Sequence, residues 1–448
     1  MSLVCSGRTV CSGYCRQQEG TLTRKPVGAS AWIAAIGILL ACDSDGIVRT
    51  GVDPPVKPDT RARSCTEGKA GLYPCSGIDL VSYLTSEEIG LTQGIVSDMW
   101  GWTDRLTGTE WALVGHQQGT AFVSLRDPER PLYAGILPLT DGARAAAWRD
   151  IKVYRNHAFI VSDGAGEHGV QVFDLTRLRR VADPPETFEA TTLYDGIHSA
   201  HNIVINEETG FAYAVGASGG GNSCGGALHM IDIRNPVSPA FAGCFADLST
   251  GRAATGYTHD AMCVVYRGPD IEHRGREICF GSNETALSIV DVSDKSAPAA
   301  LAAASYPSSA YAHQGWLDEA HEYLYMNDEF DEAFGMVSGT RTIVWDVSDL
   351  DDPIPVADFI GNTQATDHNL YVAGDLMYQS NYHAGLRVVS IAARENPVEI
   401  AFFDHEPDDS NEAGLDGGWS NYPFFGSGVI GATSISGGVF FVRLSRRN

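Results

Sequence analysis

Four short phrases, SAHNI (199–203), YTHDA (257–261), YAHQG (311–315) and TDHNL (366–370), each set a histidine directly before Asn, Asp or Gln and ahead of a strand-like run. Their second members, Asn202, Asp260, Gln314 and Asn369, stand 58, 54 and 55 residues apart. Such near-even recurrence restricts the chain to folds built from copies of one unit. The same frame extends outward to WTD (102–104), WRD (148–150) and WSN (419–421), which makes seven copies.

Every copy continues in the same way. A second apolar run follows the phrase, as in AFIVS (158–162), FAYAVG (211–216) and EICFG (277–281). A third carries an apolar–Asp–apolar pattern, as in HMIDI (229–233), SIVDV (288–292) and TIVWDV (342–347), then a polar turn with proline and a fourth run such as VEIAFF (398–403). Short β-branched or alternating runs punctuated by Gly, Asn, Asp and Pro predict strands. Four strands every 46 to 58 residues is the period of a β-propeller blade. The seventh copy ends after its third strand, and IDLVSYLT (78–85) has the character of the missing fourth. The expected fold is therefore all-β, a seven-bladed β-propeller over residues 73–448, closed by an N-terminal strand that completes the last blade.

The phrases SIVDVSDKSAP (288–298) and TIVWDVSDLDDP (342–353) resemble the LVIVD repeat, and the chain from YPCSGIDLVSYL (73–84) onward is similar to the choice-of-anchor B family of bacterial surface proteins. That resemblance implies an extracytoplasmic seven-bladed propeller with a variable N-terminal anchor. It implies no reaction.

The N-terminus agrees with export. Arg24 and Lys25 precede VGASAWIAAIGILLA (27–41), an apolar stretch of signal-peptide length closed by small residues. LLAC (39–42) resembles the bacterial lipoprotein signal, which gives Cys42 the role of the lipidated residue and 42–72 the role of a linker. Residues 1–23 read as an upstream extension of the signal. After Cys42 six cysteines remain, and three local disulfides are expected: Cys65 with Cys75, Cys224 with Cys244, and Cys263 with Cys279. With 56 acidic against 31 basic residues the formal charge is −25, which repels a phosphate backbone and sets nucleic acid aside as a partner. Membrane contact is expected through the lipid alone.

In a propeller the first strands line the channel, so His201, His259, His313 and His368 of four consecutive blades are expected at one channel mouth, with His383, Glu284, Asp328 and Glu329 on the same rim. Converging imidazoles suit a single Fe, Cu, Zn or Mn ion, held by the five histidines, with Glu284 or Glu329 as a general base. In arrangement alone this is similar to the four-histidine sites of propeller enzymes such as the carotenoid cleavage oxygenases, none of whose flanking motifs occurs here. The competing reading makes each histidine phrase a device that locks one blade to the next. The other three copies place Trp102, Trp148 and Trp419 near the column, with Arg149 beside them, and predict an aromatic half of the mouth able to grip a planar or sugar-like ligand. Two functions stay open: a surface protein that binds a protein, glycan or small molecule, and a metal-dependent oxidase, oxygenase or hydrolase.

Overall fold

The computed structural model describes residues 62–446. The signal, its extension and Cys42 lie outside the described residues. Seven sheets follow one another along the chain, each led by a strand that touches the leading strands of its two neighbours. The seventh leading strand, Gly418–Tyr422, touches the first, Val96–Thr103, so the ring closes. Blade three is typical, with antiparallel strands Asn202–Asn206, Phe211–Val215, Leu228–Asp232 and Ala240–Phe245. The seven-bladed, all-β architecture is the one the periodicity predicts.

Blade seven is completed as expected, by Ile78–Thr85 pairing antiparallel with Gly438–Leu444. The chain is engaged before this strand. Arg63 bridges to Leu80, and Lys69–Ala70 pairs with Tyr73–Ser76, which lies against the outer strand of blade six through Cys75 opposite Phe403. Blade six thus has six strands. Blade one is also extended, because Glu186–Thr187 returns from blade two and adds in parallel to Leu132–Pro138. All three disulfides form as expected, and Cys263 and Cys279 are direct cross-strand partners in blade four. Disulfides of this number are the mark of an oxidising, extracytoplasmic compartment. Among the described residues no helix is long and apolar enough to cross a membrane.

The repeated apolar–Asp pattern has a physical origin. In blades three, four and five the pairing of third and fourth strands shifts register just ahead of Asp232, Asp291 and Asp346. Each of those carboxylates then accepts the backbone N–H two residues on, at 3.0, 2.8 and 2.9 Å. The bulge twists the outer edge, and the Asx turn ends the strand with its first free donor satisfied. A carboxylate at that place is local chemistry, not a ligand set.

Because the 65–75 bridge pins the segment that enters the closing strand, the Cys65→Ala, Cys75→Ala double variant is expected to lose about 2–3 kcal/mol of stability, read from denaturant midpoints, while keeping its β-sheet circular dichroism.

Candidate functional site

The inner ring is joined by side chains that bond the backbone or side chain of a neighbouring blade. Asp98 accepts the N–H of Ile151 at 3.2 Å, Asp150 that of Ile203 at 2.7 Å, and Gln314 that of Leu370 at 2.7 Å. Asn202 donates to the carbonyl of His259 at 2.9 Å, and Asn421 to that of Asn369 at 3.5 Å. Ser420 donates to Asp98 at 2.6 Å and couples the last blade to the first. The blade-one member of the column is therefore Asp98 and not Asp104, a correction to the expected frame. Asp98 stands near the start of the leading strand Val96–Thr103, whereas Asp104 lies just past its end and holds Arg179 at 2.6 Å.

One residue ahead of this column lies the histidine row. Ring centroids run from His201 to His259 at 4.3 Å, to His313 at 4.2 Å and to His368 at 4.6 Å. Trp148 stands 6.5 Å beyond His201, and Trp419 lies 4.6 Å beyond His368, so the arc carries a tryptophan at each end. Nδ1 of His259 donates to the His313 carbonyl at 2.9 Å, that of His368 to the Trp419 carbonyl at 2.5 Å, and that of His201 to the Asp163 carboxylate at 3.0 Å. A carbonyl only accepts, so His259 and His368 carry hydrogen on Nδ1 and leave Nε2 as the lone-pair nitrogen. For His259 and His368 the locking and ligating readings are thus compatible: one nitrogen holds the next blade, and the other is left for chemistry.

Burial keeps His259, His313 and His368 neutral. It drives His259 and His313 well below the usual imidazole range, with the adjacent imidazoles adding to the effect, and lowers His368 to about 3. His313, His368 and Glu329 bring one potential ligand atom each to within 4.8 Å of one another. Glu329 accepts from the Tyr382 hydroxyl at 2.7 Å and stands 3.8 Å from His313 Nε2, and burial raises its carboxyl. Asp328 beside it is saturated by Tyr306 and the N–H groups of Ala310 and Tyr311, which fixes the approach to the His313 strand.

Other expected members are placed elsewhere. Glu284 accepts the N–H of Arg252 at 2.7 Å and bridges to Ala312 through its backbone, outside the His313–Glu329–His368 group. His383 donates to the Glu412 carbonyl and packs on Gly414. The expected aromatic half is not assembled. Trp102 is buried in the core with Trp111, and Trp148 is 46% exposed. Arg149 occupies the histidine position of blade two but is fully buried, with Nε on the His116 carbonyl at 3.3 Å and one terminal nitrogen 3.1 Å from His168 Nε2. It grips its own scaffold, not a ligand. The aromatic side chains that do cluster around the channel, Trp100, Trp316 and Tyr371, lie on the other side of the Asx column. Their signal was a second column two residues after the first, obscured because other blades fill it with Lys152, Val204 and Met262. Among the other groupings of metal-capable side chains in the described residues, Cys224, His229 and Cys244 have both sulfurs joined in a disulfide.

The LVIVD repeat model matches residues 278–302, from the second strand of blade four into its fourth. No curated protein matches the chain. Among solved structures, a protein from Lactobacillus plantarum is similar at 11% identity with a TM-score of 0.51, over 78% of this chain and 99% of that one. The Cps50 (Swd1) β-propeller domain from Myceliophteria thermophila aligns at 11% identity with a TM-score of 0.49, over 79% of this chain and 98% of that one. The likeness to the Lactobacillus plantarum protein is one of fold alone.

Two outcomes follow from this geometry. Asp150→Ala strands the Ile203 N–H and removes the carboxylate 2.6 Å from Lys152, and is expected to cost about 3 kcal/mol or more in denaturant unfolding. His116 and His168, beside buried Arg149, are lowered by burial to about 4 and about 3. The unfolded chain binds protons that the folded chain refuses, so their contribution is complete above about pH 6.5 and is lost as pH falls toward those values. His168→Asn should therefore give a shallower loss of stability between neutral pH and about pH 5, measured by urea unfolding at each pH.

Proposed function

We propose that the chain is an exported, lipid-anchored surface propeller that binds a ligand or partner and holds one transition metal at the corner formed by His313, His368 and Glu329. The observation that carries this reading is the meeting of two neutral imidazoles and one carboxylate at a channel mouth, with the His368 tautomer set by the next blade. Two imidazoles and a carboxylate leave coordination positions open, a donor set suited to non-haem iron and to zinc. His259 and His201 extend the row, and their Nδ1 partners keep them aligned beside it. The same donors would serve an oxygenase or a hydrolase, in which case Glu329 is a ligand and not the general base. The apolar stretch 27–41, LLAC at 39–42 and three disulfides support export and anchoring through Cys42.

Elemental analysis of the untagged exported protein should find about one transition metal per chain, lost in His313→Ala and in His368→Ala and reduced in Glu329→Gln. A folded wild-type protein that holds none after loading with Fe, Zn, Cu or Mn would leave the row as a blade lock.

A further inference from the structure

Two residues beyond the Asx column, six of the seven leading strands turn a side chain into one cavity: Trp100, Lys152, Val204, Met262, Trp316 and Tyr371. The cavity has a volume of about 330 Å³, and the column members Asp260 and Gln314 also line it. It is thus separated from the histidine row by the locking side chains. Nothing in the metal reading uses it.

One side of the cavity is aromatic. Tyr371 meets Trp100 at 5.7 Å and Trp316 at 5.0 Å, both edge to face, and Phe424 packs behind the two indoles at 6.2 and 6.3 Å. The other side is polar, and its cations Lys152 and Arg267 already have partners. Lys152 lies 2.6 Å from Asp150 and 3.7 Å from Asp98, with its ammonium 4.6 Å above the Trp100 ring. Arg267 at the rim is paired with Glu208 at 2.7 Å. Hydrogen-bonding capacity is left over: Gln314 uses its carbonyl oxygen on Leu370 and keeps its NH₂, and Asp260 binds its neighbour's N–H through one oxygen.

A ligand for such a cavity has one apolar face, several hydroxyl-like groups on the opposite edge and no net charge. A cation would meet Lys152 already seated on Trp100, and an anion would meet Asp260 and Glu207. We propose that this mouth of the channel binds a neutral sugar ring, free or at the end of a glycan, packed against Trp100 and Trp316 with its hydroxyls on Asp260 and Gln314. The volume lies at the small end of ligand cavities and suits one or two rings.

The test is a tryptophan-fluorescence titration of the full protein with glucose, galactose, mannose, N-acetylglucosamine and neutral disaccharides of each, with tetramethylammonium chloride as the charged probe. A saturable change with at least one neutral sugar is expected, weakened about tenfold in Asp260→Asn and in Trp316→Ala and unchanged in His313→Ala. Saturation by a monosaccharide identifies a free sugar as sufficient, and saturation by disaccharides alone identifies a glycan end. If Trp316→Ala fails to fold by thermal melting, Trp316→Phe with Gln314→Ala takes its place and should weaken binding to a similar degree. No saturable change with any sugar, wild-type affinity in the folded Asp260 and Trp316 variants, or preference for tetramethylammonium would overturn the proposal. Because the titration reads the opposite mouth, its failure leaves the metal analysis untouched, and the reverse holds as well.

Discussion

Side-chain hydrogen bonds between adjacent leading strands make the ring a single object. Sheet ladders hold each blade together but end at its edges, and between neighbouring blades the backbone supplies only isolated contacts, such as the Ala312 N–H on the Glu284 carbonyl and the Gly418 N–H on that of Tyr382, with a gap along the rest of the leading strands. Asp98, Asp150, Asn202, Gln314 and Asn421 bridge that gap with side chains that reach one strand across. The joint between blades four and five is bridged by His259 Nδ1, which shows that a histidine can do the work of an amide here. Since most of these groups are buried, each bond is formed where water cannot replace it, and losing one partner leaves a desolvated polar group behind.

The same column divides the channel. On one side the imidazoles of His259, His313 and His368 are dry, close to one another and neutral; on the other, indoles and a tyrosine share a cavity with a compensated lysine. Alternation along a strand places residues two apart on one face, so a ring of seven strands yields layers of like position, whatever the residue types. Chemistry can therefore differ between layers without disturbing the scaffold. Arg149 shows the limit of that freedom. A guanidinium at the histidine position turned inward to His116 and His168, and the metal-capable row stops at the blade-three boundary.

Period, blade count, closing strand and cysteine pairing were all legible in the residues, because each rests on local signals: apolar alternation, turn residues and short loop closure. The histidine row was legible for the same reason, since identical positions in a repeat must become neighbours in a ring. Blade one was misaligned because the conspicuous WTD falls at the end of its leading strand, whereas the column residue sits in the plain SDMW at 97–100, near the start. Trp102, Trp148 and Arg149 misled as a ligand grip because a residue near a column can face the core, the solvent or the neighbouring blade, and only packing decides which. The aromatic mouth was hidden because its members share a position and not a residue type.

The chain enters the ring through a segment bound to two blades at once: Cys75 sits against blade six, Ile78–Thr85 completes blade seven, and the bond between Cys65 and Cys75 bypasses the hairpin between them. In mechanical terms this is a mooring. Tension arriving at Cys65 passes through a covalent shortcut and is then shared by two sheets, so no single row of hydrogen bonds carries it alone. Under the proposed anchoring by the N-terminus, a pull on the chain is met without the ring being peeled open at the seam.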